Sequence, residues 1–223
     1  MRERGAVLFD LDGTLVDSAE DLLVAANALR ERRGLAAISI EAFRPSVSRG
    51  ARSMLAVSVP GFAVEDVDTV NEFLAVYAEA IAARSRLFPG IDGLLQQIET
   101  RGLRWGIVTN KAEALARALV DALGLASRCA VLIGGDTLSE RKPHPLPLLE
   151  ACRRLEAAPA ASLYLGDDPR DIEAALAAGM RGIAVQWGYF DPEHPPQGWG
   201  AHRVIDAPSE LLDEALFGGG ASK

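Results

Sequence analysis

The chain has 223 residues, 49% hydrophobic and 24% charged, with a formal net charge of −8; this is ordinary globular composition, enough for one large domain or two modest ones. An acidic balance without clustered Lys and Arg excludes general binding to nucleic-acid backbones, and no apolar run approaches the ~20 residues of a membrane span. Cys129 and Cys152 stand at neither metal-ligand nor redox spacing, so free reduced thiols and the cytoplasm are the expectation for a chain without an export signal. Long-range repulsion also requires that any anionic small molecule be met by cations placed locally in its site.

The first element is an apolar strand over 5–9, which stops at Asp10-Leu11-Asp12-Gly13-Thr14. Strand alternation sends Asp10 and Asp12 to one side and Leu11 to the other, so two negative charges converge where the strand runs out. Without a cation they repel each other, and hard oxygen ligands of this kind suit Mg²⁺. Read alone, Asp-Gly is also an ordinary turn dipeptide.

About 90 residues separate this strand from the next, too many for one crossover in a compact α/β unit, where about a dozen suffice. Within them 19–33, 40–58 and 65–84 carry apolar positions at helical spacing. The pattern predicts a small helical domain, the cap, over 16–87, inserted into an α/β core made of 1–15 and 88–223. Inside it, Ser48-Arg49-Gly50-Ala51-Arg52 places Arg49 and Arg52 about a glycine at a helix start, a clamp for a carboxylate or sugar oxygen or simply two solvated charges. Asn27 is a single polar residue on a mainly apolar helix.

From residue 88 onward, apolar runs at 103–108, 129–133, 162–165, 182–186 and, more weakly, 204–205 alternate with helical stretches at 90–101, 112–123, 144–156, 169–178 and 208–216. Strands that are apolar throughout are buried on both faces, which predicts a Rossmann-like parallel sheet flanked by helices. Gly102, Gly124 and Gly179 sit where left-handed helix caps are needed, and 218–223 reads as a frayed end. In such a sheet the crevice lies at the carboxyl ends of the strands. There the chain places Asp10 and Asp12, then Thr109-Asn110-Lys111, then Gly134-Gly135-Asp136 with Lys142 beyond, then Gly166-Asp167-Asp168-Pro169-Arg170-Asp171. Each has a plain reading, Thr109 and Asp168 as helix caps and Lys142 as a loop charge. Together they point to one site.

With Lys142-Pro143, these four ordered segments resemble the motifs of the haloacid dehalogenase-like superfamily, in its phosphatase branch with a helical cap. The resemblance implies that Asp10 attacks phosphorus, that Asp12 carries the proton, and that Mg²⁺ is held by Asp10, Asp167 and the main-chain carbonyl of Asp12. It further implies a phosphate cradle of Thr109, Asn110 and Lys142, with Asp171 and Asp168 supporting. Asp12 argues against a dehalogenase, which lacks the second aspartate. A sugar phosphomutase shares all four motifs and remains an alternative; a non-catalytic phospho-ligand binder should have lost Asp10 or Lys142. The partner implied is a small phosphorylated metabolite. In general the chain resembles phosphoglycolate phosphatases. Residues 48–52, 103–106 and 188–201 are similar to N-acetylmuramic acid 6-phosphate phosphatases of cell-wall recycling, although Trp187, Tyr189 and Trp199 also read as anchors of a packed connection. His144, His194 and His202 lie at no metal-binding spacing.

Overall fold

The computed structural model describes residues 4–212. Its strands are β1 (Ala6–Phe9), β2 (Val16–Asp17), β3 (Arg86–Leu87), β4 (Arg104–Val108), β5 (Leu132–Ile133), β6 (Leu163–Gly166), β7 (Arg181–Val185) and β8 (Arg203–Ile205). β1 is apolar at every position because both of its faces are covered. Val7 and Phe9 join a core with Trp105, Ile107, Leu163 and Leu165, while Ala6 and Leu8 turn to a second core with Val108, Ile133 and Tyr164.

Among the described residues six of these strands form one parallel sheet in the order β5-β4-β1-β6-β7-β8. The chain leaves β1 for β4 and β5 on one side, then crosses back to β6, β7 and β8 on the other. The order therefore reverses at β1, and the crevice opens where β1 ends between its two neighbours.

Eight helices are seen among the described residues: α1 (Ala19–Arg32), α2 (Ile40–Phe43), α3 (Ala51–Ser58), α4 (Val67–Glu79), α5 (Ile91–Thr100), α6 (Glu113–Ala122), α7 (Leu146–Arg154) and α8 (Pro169–Ala177). α5 and α6 bury Leu94, Leu95, Ile98, Ala116 and Leu119 in the first core, and α7 and α8 bury Leu148, Ala151, Cys152, Ala174 and Ala175 in the second. Each Leu or Ile so removed from water contributes about 1.5–3 kcal/mol.

α1 to α4 lie between β1 and β4, as the long gap predicts. Exit and return are tied by the antiparallel pair β2·β3, with Val16 opposite Leu87 and Asp17 opposite Arg86. Asp21 reinforces the tie from α1: its buried carboxylate accepts from the N–H groups of Arg84 and Ser85, both at 2.9 Å, and from Ser85 Oγ at 2.6 Å.

Several boundaries differ from the periodicity. The stretch 40–58 is not one helix, because Pro45 turns the chain into a 3₁₀ segment and Gly50, at φ 87°, starts α3 afresh. α4 is shorter than 65–84: Asp66 caps it by accepting from Thr69 N, and Ala82 at φ 61° belongs to the turn that follows. β5 keeps only Leu132–Ile133 of the run 129–133. Of the helix expected over 208–216, Pro208–Leu212 is 3₁₀ and the remainder, like the tail 218–223, lies outside the described residues. No described helix is long and apolar enough to cross a membrane.

The Asp21 tie is open to measurement. Asp21→Ala strands two main-chain donors, and chemical denaturation should show a loss of about 1–3 kcal/mol; an unchanged midpoint would mean that β2·β3 needs no such support.

Candidate active site

β1 delivers Asp10 at the point where the order reverses, and its N–H donates to Leu165 O at 2.9 Å, which fixes the residue against β6. Its carboxylate is buried, and Lys142 Nζ stands 2.9 Å from Oδ1. The approach has ion-pair distance without hydrogen-bond alignment, so among the described residues Asp10 Oδ1 has no hydrogen-bond partner.

Lys142 is held from several sides. Nζ is 2.6 Å from Asp171 Oδ1 and donates to Tyr164 Oη at 2.7 Å, while Tyr164 donates onward to Val108 O at 2.6 Å. Burial disfavours the ammonium, but Asp10 and then Asp171 more than offset it and raise its pKa. Asn110 contributes through the main chain. Its side-chain amide donates to Lys142 O at 3.0 Å and accepts from Lys142 N at 3.1 Å. That amide therefore positions Lys142, while the phosphate-cradle expectation for Asn110 rests on its main-chain N–H, the one that follows Thr109.

Asp167 ends β6 one residue on. Its Oδ1 accepts from Thr14 Oγ1 at 3.1 Å, and its Oδ2 from Ser48 Oγ at 2.6 Å and Tyr189 N at 2.9 Å. Gly13 is required there: it has φ 86°, and a Cβ on it would lie 2.1 Å from Asp167 Oδ2. Asp168 caps α8 by accepting from Arg170 N at 3.0 Å and pairs with the Arg170 guanidinium at 2.7 Å. Asp171 completes the capping box by accepting from Asp168 N at 3.1 Å, so it serves the helix as well as Lys142.

Carboxylate oxygens of Asp10, Asp167 and Asp171 lie within 4.8 Å of one another. Burial, reinforced by Asp10 and Asp171, pushes Asp167 up to about 8. Burial also pushes Asp171 up to about 7, against the pull of Lys142. An all-oxygen donor set and buried carboxylates crowded enough to raise one another's pKa fit a hard divalent cation such as Mg²⁺. Both oxygens of Asp171 are engaged, Oδ1 by Lys142 and Oδ2 by the Asp168 N–H, whereas Lys142 takes only Oδ1 of Asp10, which leaves Asp10 and Asp167 as the carboxylates better placed to meet the ion.

Asp12 does not join that cluster. The strand ends at Phe9, so simple alternation does not carry through to Asp12, whose carboxylate turns to its own cation. Lys111 Nζ lies 3.1 Å from both Asp12 oxygens, and Ser18 Oγ donates to Oδ1 at 2.5 Å. Lys111 in turn sits 4.4 Å from the ring centroid of Tyr77 on α4. Burial disfavours the Lys111 ammonium, yet Asp12 and then Tyr77 raise its pKa. Fully ionised, Asp10, Asp12, Asp167 and Asp171 face two ammonium groups among the described residues, Lys111 and Lys142.

A cavity of ≈ 330 Å³ opens over this floor. Asp10, Asp12, Thr109 and Lys142 line it from the core, and Leu22, Val47, Met54, Val70 and Leu74 from the helical insertion. Arg49 and Arg52 also border it, but not as a matched clamp: Arg49 pairs with Asp191 at 3.1 Å, and Arg52 Nε donates to Val64 O at 2.9 Å. Asn27 spends its amide on the main chain of Ile38. Trp187 Nε1 donates to Thr14 O at 3.0 Å, Tyr189 Oη donates to Asp17 at 2.6 Å, and Trp199 Nε1 donates to His194 O at 3.0 Å, so the aromatic stretch anchors the site. Sequence reasoning assigned no role to Lys111, Tyr77, Ser48 or Arg170. Lys111 is legible as the residue two beyond Thr109 and Arg170 as the residue two beyond Asp168, whereas Tyr77 and Ser48 meet the site only through long-range contacts.

Residues 7–185 match the haloacid dehalogenase-like hydrolase family. The chain belongs to that family. It is 49% identical over 218 residues, 97% of this chain and 99% of the relative, to a phosphoglycolate phosphatase of Xanthomonas campestris pv. campestris. It is 44% identical over 221 residues, 96% of this chain and 98% of the relative, to an N-acetylmuramic acid 6-phosphate phosphatase of Pseudomonas putida. Among solved structures, a predicted phosphoglycolate phosphatase from Haemophilus somnus superposes with a TM-score of 0.85 at 26% identity, covering 96% of this chain and 99% of that one.

The crowded carboxylates of this haloacid dehalogenase-like hydrolase give its metal-free stability a pH dependence. Asp167 at about 8 and Asp171 at about 7 lie above the ~3.9 of an unfolded aspartate, so between those values the folded state binds more protons. Stability then falls as pH rises through about 4 to 8. In EDTA the melting temperature should be lower at pH 8 than at pH 6, Mg²⁺ should restore it more at pH 8, and Asp167→Asn should flatten the slope. A metal-free melting temperature that holds level or rises over this range would refute the crowding.

Proposed function

We propose that this chain is a Mg²⁺-dependent phosphomonoesterase acting through a phospho-Asp10 intermediate. The observation that carries the reading is the place of Asp10, a buried carboxyl group at the cavity floor with Lys142 Nζ 2.9 Å from Oδ1 and Asp167 beside it. Asp10 attacks phosphorus and the bond to the ester oxygen breaks as Asp12 gives that oxygen its proton. A water molecule then attacks phosphorus, losing its proton to Asp12, and the bond to Asp10 breaks. Lys142 and the Thr109 hydroxyl neutralise and orient the phosphoryl oxygens. Asp10, Asp167 and the main-chain carbonyl of Asp12 would hold Mg²⁺, which would supply the positive charge that lets an anionic ester approach the Asp10 carboxylate.

Residues 16–87 serve in this reading as the cap that determines specificity, with 1–15 and 88–223 as the catalytic core. The support is the stem β2·β3 and the apolar wall that the insertion gives the cavity. Its ≈ 330 Å³ falls within the ~300–1,000 Å³ that houses drug-sized ligands. The substrate class proposed is what the phosphoglycolate and the N-acetylmuramic acid 6-phosphate named for the Xanthomonas and Pseudomonas relatives share, a small phosphomonoester that also carries a carboxylate.

Asp10→Asn should lower hydrolysis of p-nitrophenyl phosphate by about 10³-fold or more without changing the circular dichroism spectrum, and EDTA should abolish the wild-type rate. Substantial turnover by the variant would sink the covalent mechanism. Comparing kcat/KM for N-acetylmuramic acid 6-phosphate and phosphoglycolate decides between the substrates.

A further inference from the structure

The cations that border the cavity are not equally available to a ligand. Lys142 is held by Asp10 and Asp171, Lys111 by Asp12, Arg49 by Asp191 and Arg170 by Asp168. An incoming anion that recruits one of these must share it with a carboxylate already in place, and only the surplus over that existing contact appears as affinity. Arg52 gives its Nε to Val64 O at 2.9 Å, so one edge of its guanidinium is spent. The guanidinium of Arg141 also borders the cavity, and it has no hydrogen-bond or ion-pair partner among the described residues. Nothing has to be broken before it binds an anion.

Its main chain, by contrast, is fixed. Arg141 O accepts from His144 N at 2.9 Å, and the next residue is gripped at N and O by the Asn110 amide, at 3.1 and 3.0 Å. The free head therefore sits on an anchored base. Asp136, a carboxylate on the same wall, accepts from Glu113 N at 2.7 Å and makes no ion pair with Arg141. Adjacent residues divide the cavity between them: Lys142 is 3% exposed at the floor beside Asp10, and Arg141 is exposed at the edge. Their Cα atoms are about 3.8 Å apart, as consecutive residues must be, so one small molecule can carry both an anion for the floor and an anion for the edge.

We propose that Arg141 is a substrate-binding, specificity-determining residue, whose guanidinium pairs with a carboxylate carried by the organic part of the phosphoester. A planar fork of N–H donors matches the two oxygens of a carboxylate, and neither edge of this fork is occupied. The assignment puts one determinant of specificity in the core, between β5 and α7, and outside the inserted helices. The proposal rests on the phosphatase reading for which anion takes the floor, but the recognition itself is measurable without turnover.

Two pairs of esters that differ in a carboxylate test it: phosphoglycolate against its uncharged amide, and N-acetylmuramic acid 6-phosphate against N-acetylglucosamine 6-phosphate. Each is titrated calorimetrically, in Mg²⁺ and at about 0.15 M salt to screen long-range charge, into Asp10→Asn and into the double variant that also carries Arg141→Gln. For at least one pair the ratio of affinities, acid over neutral, should fall about tenfold or more, the contribution of a hydrogen bond to a charged group. The ratio of kcat/KM in proteins retaining Asp10 should fall in parallel. Arg141→Lys keeps the charge and loses the fork; it should give an intermediate ratio, and it supplies the measurement if the glutamine variant does not fold. Unchanged ratios for both pairs overturn the proposal, as does a fall that Arg52→Gln produces and Arg141→Gln does not, or no measurable binding of either acid. If the wild type hydrolyses the esters while the ratios stay unmoved, the phosphatase reading stands and the proposal fails. If a ratio falls while the wild type hydrolyses none of the four, the recognition stands and the phosphatase reading is what fails.

Discussion

A buried carboxylate facing a buried ammonium, Asp10 against Lys142, is the contact around which the other parts of the site are arranged. Charges taken out of water at 7% and 3% exposure are tolerated only when geometry and further hydrogen bonds offset their lost hydration. The fold meets that demand from three neighbouring strands. β6 supplies Tyr164 and, through α8, Asp171; β4 leads to Asn110, whose amide grips the Lys142 main chain. β1 places Asp10 itself. Truncating any of these leaves a buried charge or donor without its partner, so the catalytic end of the sheet is also an end where stability is concentrated.

The same floor explains how an acidic protein receives an anion. A net charge of −8 repels phosphate esters at long range, but beyond a Debye length of about 10 Å that field is largely screened. Inside the cavity the balance is local. Lys111, Lys142, Arg49, Arg52, Arg141 and Arg170 all border it, and most are already committed to a carboxylate: Asp12, Asp10 and Asp171, Asp191, and Asp168. Cations held in this way keep a fixed geometry, and a fixed dipole needs no reorganisation when a charged ester arrives. The site is organised before it is filled.

How much of this was legible in the sequence depends on where each residue's partner lies. The sheet was readable because doubly buried parallel strands are unbroken apolar runs, and the chemistry follows directly where each run stops, as at Asp10, Thr109 and Asp167. Strand alternation misleads just past the end: Asp12 lies beyond Phe9, so its carboxylate turns to Lys111 and away from the Asp10 cluster. The break between α2 and α3 was signalled by Pro45 and Gly50, but a three-to-four spacing of apolar residues continues across it and masks the punctuation. Side-chain destinations were the least readable. Arg49 and Arg52 look like a pair in the sequence and find separate partners, whereas Tyr77 meets Lys111 from 34 positions away.

Those distant partners also show why the helical insertion is part of the site and not an ornament on it. Ser48 Oγ donates to Asp167 at 2.6 Å, and Arg170 Nη2 reaches back to Ser48 O at 2.8 Å while its guanidinium holds Asp168. Residue 48 therefore hydrogen-bonds both the proposed metal ligand and the helix that follows it. The Tyr77 and Lys111 contact ties α4 to the proposed proton carrier. The insertion touches the two halves of the proposed chemistry, the ion and the proton, through separate groups. A substrate that alters how the insertion sits must then alter both together, so binding far from phosphorus can be felt at the reacting atoms, which is the condition for binding energy to be converted into rate.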